Sequence, residues 1–441
     1  MASDDAVAIQ VAKRAGELSV ITINCPDQTG LGCDLCRTIL EFGLRITRGD
    51  LSTDGQWCYL VLWVIPCSAS SNIHWTSLKN RLISICPTWS FPFDIDSSNQ
   101  PMHSQVYLMK LFSTDRKGLL HDVTRVLCEL ELLIHRVKVS TTPDCKAMNL
   151  FFITDGMELL HTQRRQDETR EQLSAILGES LYSFEILPAN GFQHGFSSLP
   201  PQVAENLFGL ELVDNELCSH SVTPDMKNLK KPDLNFDNTL SHTSTLLQIH
   251  CVDQKGLLYD ILRTLKDCNI QIAYGRFMSH TKGSREIDLF IQQTDGKKIT
   301  DPEKQEFLFS RLRSEMLHPL RVMIVNRGPE TELLVANPVE LSGKGRPRVF
   351  YDSTLALKLL GICIFSVSKL QSLNTFWSQY CDYSISTYIY HLQAEIGRHS
   401  SSDREWEVYR FLLVDSNDLP LSSRHAKNHI VDRVRRTLMG W

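Results

Sequence analysis

One short segment occurs three times in this chain and fixes most of what it can fold into. An apolar run breaks at Asp27-Gln28-Thr29-Gly30-Leu31, at Asp115-Arg116-Lys117-Gly118-Leu119 and at Asp253-Gln254-Lys255-Gly256-Leu257. In every copy the acid precedes the glycine by three residues and a second aspartate (Asp34, Asp122, Asp260) by seven. A pattern held at fixed offsets is an internal repeat, and it settles the architecture before any single motif is read.

Ahead of each acid the residues alternate or run apolar (Val20, Thr22, Asn24; Leu108, Lys110, Phe112; Leu247, Ile249, Cys251), the period of a strand. After each glycine the apolar positions fall at helical spacing, as in Leu119, Leu120, Val123, Val126, Leu127 and Leu130, or Leu257, Leu258, Ile261, Leu262 and Leu265. The acid-x-x-glycine segment is therefore expected to be a strand-to-helix turn. Its Asp is placed to accept from the free N–H groups of the first helical turn, and its glycine lets the backbone pass close to another group. In the third copy the pattern continues through strands Ile270–Phe277 and Ile287–Gln292, a helix over Pro302–Met316 and a last strand at Leu320–Val325. The order β-α-β-β-α-β predicts an α+β chain of tandem ferredoxin-like units, four-stranded antiparallel sheets with both helices on one face.

At 441 residues the chain has room for several such units, and 42% hydrophobic with 22% charged residues is ordinary globular composition. The expected division is repeat one at 16–100, repeat two at 105–188, a flexible linker at 189–243 rich in Gly, Pro, Asn and Ser, repeat three at 244–327, and an altered repeat four at 331–441. In repeat four, Tyr351-Asp352 matches Tyr259-Asp260 and sets the register, which puts Arg348 where Gly256 stands. Within it, 367–393 is foreign to the pattern. This 27-residue segment begins with Val and ends with Gln, whose codons can supply the GT and AG ends of an intron; it reads as a retained in-frame intron, against the alternative of a long hairpin loop. Short joins suggest that repeat one pairs with two and three with four.

Net charge of −5 speaks against a nucleic-acid partner, and the longest apolar run, Leu355 to Phe365, is too short to span a bilayer. The acidic start Met1-Ala2-Ser3-Asp4-Asp5 lacks an apolar signal core, and thirteen cysteines without one read as reduced thiols of a cytoplasmic or nuclear protein. Cys33-x-x-Cys36 lacks two further zinc ligands, so core packing is expected and no metal or cofactor is implied. His121-Asp122 is the dipeptide that HD-type phosphohydrolases place on metal, but it falls where the other copies have Cys33-Asp34 and Tyr259-Asp260 and has no upstream ligand cluster. No phosphate-binding loop, nucleophile elbow or dinucleotide fingerprint is present, and Gly343-Lys344-Gly345-Arg346 reads as a basic loop.

The three turns, each in a β-α-β-β-α-β setting, resemble ACT domains, small-molecule regulatory modules of amino-acid metabolism. Four units with no enzyme attached are similar to the plant ACT-domain-repeat proteins. The resemblance implies a non-enzymatic regulatory or sensor protein that binds a free amino acid at interfaces between paired units, with a homodimer or another ACT-domain protein as a possible partner. Its candidate ligand-binding residues are Asp27, Gly30, Leu31, Asp115, Gly118, Leu119, Asp253, Gly256 and Leu257. A helix N-terminus suits an α-carboxylate and an acid one turn away suits an α-ammonium group. The alternative is an interaction scaffold that binds no metabolite and associates edge to edge.

Overall fold

The computed structural model describes residues 6–14, 16–68, 73–87, 105–141, 146–195, 199–209, 232–279, 283–327, 330–341, 343–362, 391–401, 404–413 and 423–441. Repeat one comprises β1 (Val7–Gln10), β2 (Ser19–Pro26), α1 (Leu31–Glu41), β3 (Leu44–Thr53), β4 (Trp57–Pro66) and α2 (Trp75–Ile85). Repeat two comprises β5 (Tyr107–Thr114), α3 (Leu119–Glu129), β6 (Leu132–Thr141), β7 (Lys146–Asp155), α4 (Gln163–Leu177) and β8 (Leu181–Pro188). A short helix, α5 (Pro201–Phe208), follows. Repeat three has β9 (Asp233–Asp237), β10 (Thr245–Val252), α6 (Leu257–Asp267), β11 (Ile270–Ser279), β12 (Ser284–Gln293) and α7 (Pro302–Leu317). Repeat four has β13 (Arg321–Arg327), β14 (Glu330–Pro338), α8 (Val349–Leu359), β15 (His391–Ser400), β16 (Glu405–Leu413) and α9 (Arg424–Met439).

The units are ferredoxin-like and antiparallel, but the edge strand enters at different points. Among the described residues, repeat two alone closes with its last strand, β8 on β5. In repeats one and three a strand ahead of the turn takes that place, β1 on β2 and β9 on β10. The strand expected to close repeat three, here β13, instead pairs with β14 of repeat four. Repeat four thereby has four strands, β13 to β16. The stretch expected to be a flexible linker is also partly structured. β9 lies in it, and α5 packs Leu207 and Phe208, with Val203, on the outer face of repeat four against Leu334, Ala336, Trp406 and Val408. Residues 210–231 of that stretch lie outside the described residues.

Pairing between units differs from the expectation too. One eight-stranded sheet runs β1-β2-β4-β3-β11-β12-β10-β9 and joins repeat one to repeat three; the other runs β13-β14-β16-β15-β6-β7-β5-β8 and joins repeat four to repeat two. The hydrophobic cores follow the same division, one cluster holding Ile23, Leu35, Ile249 and Ile261, the other Leu111, Val123, Val335 and Leu357. Short joins misled because a join fixes only how far apart two units lie, whereas the open central edges β3 and β6 choose the partners by hydrogen bonding. Apart from α5, the helices lie on one face of each sheet, and the two helical faces meet, so the molecule has four layers with α5 added outside repeat four. Contacts between the inner layers include Arg37 Nη2 to the Gly345 carbonyl at 2.9 Å, Lys255 N to the Met439 carbonyl at 2.8 Å and Ser77 Oγ to Glu131 at 2.6 Å.

Register across the two sheet centres measures the foreign segment. In the first sheet Gly275, 19 residues beyond Gly256, pairs with Leu51, 21 beyond Gly30. In the second, Val139 is likewise 21 beyond Gly118, but its partner Ala394 lies 46 beyond Arg348. The excess is 27 residues at this pair, the length of 367–393, and 26 at Leu392 and Ser140 on the other side of a bulge in β15, so the strand enters close to register once that segment is discounted. Residues 363–390 themselves lie outside the described residues.

Candidate functional site

Each of α1, α3, α6 and α8 begins at a residue with left-handed backbone: Gly30 at φ 83°, Gly118 at 75°, Gly256 at 75° and, as the register anticipated, Arg348 at 64°. Three glycines take that conformation freely, while Arg348 carries a penalty of about 1–2 kcal/mol. The upstream acids of α1 and α6, expected to cap these helices, bond side chains on other strands. Asp27 instead accepts from the Thr53 hydroxyl at 2.6 Å, and Asp253 from Arg285 at 2.6 and 3.1 Å. Arg285 also donates to the Thr47 and Ile46 carbonyls at 3.0 and 3.1 Å, and so ties the acid of repeat three to a strand of repeat one.

What the glycines admit is a cation from another repeat. A Cβ on Gly30 would lie 2.5 Å from Lys266 Cε, one on Gly118 would lie 3.1 Å from the Lys358 stem, and one on Gly256 would lie 2.8 Å from Arg346 Nη2. Every cation goes on to a first-turn aspartate: Lys266 to Asp34 at 3.2 Å, Lys358 to Asp122 at 2.6 Å and Arg346 to Asp260 at 2.8 Å. Lys255 completes the set at Asp352, 2.6 Å away. Repeats three and four thus exchange cations across the helical layers, Arg346 into one helix start and Lys255 into the other. These second aspartates were legible as part of the repeat, but their partners were not.

The four positions differ in how tightly they are closed. Arg346 and Lys255 have side chains only 2% and 9% exposed, and Asp260 is fully buried. Burial pushes Asp260 up to about 6, against the lowering pull of Arg346 and Arg263. Lys266 is 23% exposed and lies 3.8 Å from a second carboxylate, Glu340. Cys33, Asp34 and Glu340 lie close enough together to ligate an ion, but Lys266 already pairs with both acids there and Arg37 with Glu340. As expected, Cys33 and Cys36 are packed in the core.

Repeat two differs from the other three. A cavity with about 30 Å³ open to water centres lies between α3 and α8, lined by Asp115, Arg116, Gly118, Leu119, His121, Val139, Asn149, Thr354, Leu357 and Lys358. Asn149 is 1% exposed, and neither its Nδ2 nor its Oδ1 has a hydrogen-bond partner among the described residues. It stands on β7 opposite Leu111, seven residues before Gly118. At the same place repeat one has Leu60 opposite Ile23, and repeat three has Ile287 opposite Ile249. A buried amide with nothing to bond costs about 1–3 kcal/mol, so its presence where two sister repeats have aliphatic residues calls for a partner. The sequence signal was one Asn in an otherwise apolar strand, and it was missed.

His121 lines this cavity, and Asp122 next to it binds two of the lining cations, Lys358 and Arg116. His121 Nδ1 contacts the Thr354 hydroxyl at 3.2 Å, and burial, with Lys358 nearby, depresses its pKa to about 4. Burial would raise Asp122, but hydrogen bonds from Lys358 and Arg116 outweigh it and hold the carboxyl below its ordinary range. Of the sequence-predicted residues, Asp115, Gly118 and Leu119 line this cavity. Gly256 and Leu257 line a smaller space of about 20 Å³ beside Ile39 and Leu40 of α1. Asp253 is held by Arg285 beside that space, Leu31 is buried in the core, and Asp27 and Gly30 lie at the start of α1.

Comparison with known proteins agrees with this architecture. The N-terminal family profile of "ACT domain-containing protein ACR10" matches residues 9–87, an "ACR9-like, ACT-like domain" profile matches 233–330, and the C-terminal profile of "ACT domain-containing protein ACR9" matches 331–380 and 384–440. The ACT domain-containing protein ACR9 of Arabidopsis thaliana is 55% identical over all of this chain and 99% of its own length. The chain belongs to the plant ACT-domain-repeat family. ACR10 of the same plant is 48% identical over the same extent. A bifunctional uridylyltransferase/uridylyl-removing enzyme of Gluconobacter oxydans is 31% identical, but over 48% of this chain and 19% of the enzyme. That partial match is one to ACT repeats, and the two full-length relatives are named for their ACT domains alone.

Proposed function

We propose that this ACT-repeat protein is a non-enzymatic amino-acid sensor whose ligand sits between repeats two and four, at the start of α3. The observation that carries the proposal is Asn149, a buried amide without a partner, lining a cavity beside a glycine-capped helix start. A helix N-terminus favours a carboxylate, Asp122 is positioned for an ammonium group, and Asn149 offers a donor and an acceptor to the rest of the ligand. The space of about 30 Å³ holds one or two waters, so an amino acid enters only if a wall side chain moves.

The other three helix starts support a scaffold role for the remainder of the chain. Filled by Lys266, Arg346 and Lys255, they hold repeats together without a ligand. A thermal-shift screen of the full chain against the twenty protein amino acids tests the sensor. A ligand at a hundredfold excess over its dissociation constant adds about 2.7 kcal/mol, a shift of a few degrees. A flat screen would leave only the scaffold reading, in which the chain works by association with another protein.

A further inference from the structure

Resting on the ligand site between repeats two and four, we infer that Lys358 is its built-in occupant: the ligand's α-ammonium group displaces the Lys358 ammonium from Asp122. Four observations converge. Lys358 Nζ lies 2.6 Å from Asp122, where an amino acid entering the cavity would place its own ammonium. Its aliphatic stem crosses Gly118, with Cγ, Cδ and Cε all 3.1 Å from where a Cβ would stand, so it covers the helix start that would receive the carboxylate. Its side chain is 42% exposed, against 23% for Lys266, 9% for Lys255 and 2% for Arg346. Finally, the cavity below contains Asn149, whose amide nitrogen and oxygen both lack a partner among the described residues, whereas Arg346 and Lys255 each bond the aspartate at the start they cover.

Those exposures decide which start can open. Withdrawing Arg346 would strand a fully buried carboxylate, and withdrawing Lys266 would remove one of the two cations beside Glu340, whose side chain is only 1% exposed. Withdrawing Lys358 leaves Asp122 still bonded to Arg116 at 2.7 Å, and the lysine head is already in contact with water. Exchange of one ammonium for another keeps the charge facing Asp122 constant, and the ligand's carboxylate is left to the helix N-terminus. The ligand class follows: an α-amino acid with a free ammonium group, excluding N-acylated amino acids and 2-oxo acids.

A chain whose site is covered most of the time binds with an affinity reduced by the uncovered fraction, so removing the cover should tighten binding. Calorimetric titration of the full chain with each protein amino acid, and with its N-acetyl form, is compared for wild type, Lys358→Ala, Lys358→Gln and Lys266→Ala. The expected result is a gain on the order of tenfold in both Lys358 variants, no change in Lys266→Ala and no binding of N-acetyl forms. Equal or weaker binding by both Lys358 variants would overturn the displacement and make the lysine a ligand-holding residue. Equal binding of N-acetyl forms would overturn it as well. If no amino acid binds wild type or either Lys358 variant, the sensor reading falls first and this one with it.

Discussion

Replacing Arg346 by Met probes the exchange that joins the two helical layers. Arg346 donates from Nη1 to Asp260 at 2.8 Å and from Nη2 to the carbonyls of Lys255 and Leu438. Met has similar length and no charge, so the variant keeps most of the packing and removes the bonds. What remains for Asp260 is Arg263 at 3.9 Å, itself bonded to Glu315, and Asp260 Oδ1 has no hydrogen-bond partner among the described residues. Breaking one side of a buried pair costs about 3–5 kcal/mol. The loss should depend on pH. In the parent, burial already raises Asp260 to about 6, above its unfolded value, so the group favours the folded state only while protonated. Without Arg346 the folded pKa rises further; the variant's deficit therefore grows as pH increases through about 6 and shrinks below it. Urea unfolding near pH 8 should show the full loss and near pH 5.5 a visibly smaller one. A deficit under about 1 kcal/mol at both values would refute the role of Arg346 as the buried bridge.

Gly256→Ala should destabilise more than Gly30→Ala in urea unfolding. Both add a Cβ at positive φ, but the first meets the buried Arg346 guanidinium at 2.8 Å, whereas the second meets Lys266 Cε, on a flexible stem 23% exposed. Equal losses would mean that backbone conformation alone sets the cost, about 1 kcal/mol. A chain joined from Ser366 to Ala394 should melt within a few degrees of the full chain, because the β15 register already discounts 27 residues. A large drop in melting temperature would show that 367–393 contributes to the fold.

The sequence disclosed the local order of the fold better than its assembly. Three turns at constant offsets revealed the strand-to-helix unit, the Tyr351-Asp352 register placed Arg348 at a glycine's position, and the break in repeat four showed the 27-residue excess that the sheet register measures. These are properties of neighbours in the chain. Pairing of repeat one with three was hidden because β3 and β11 join through backbone hydrogen bonds, and the side-chain pair across that seam, Arg276 with Asp50, lies 226 residues apart in sequence. Arg346 looked like part of a plain basic loop because its aspartate is 86 residues away. Reading Asp253 as a helix cap missed, for the same reason, its bond to Arg285 on the strand β12. Asn149 broke the apolar pattern of its strand openly, and comparing equivalent positions of the repeats would have found it.

The most direct test of the sensor is calorimetric titration of wild type and Asn149→Leu with the amino acids. Leu restores what repeat one has at Leu60 and removes a buried amide that costs about 1–3 kcal/mol unpartnered, so the variant should be at least as stable as the parent. The account predicts that wild type binds an amino acid and that Asn149→Leu, folded and no less stable, binds it at least tenfold more weakly. Unchanged affinity in Asn149→Leu, or no binding of any amino acid by wild type, would contradict it.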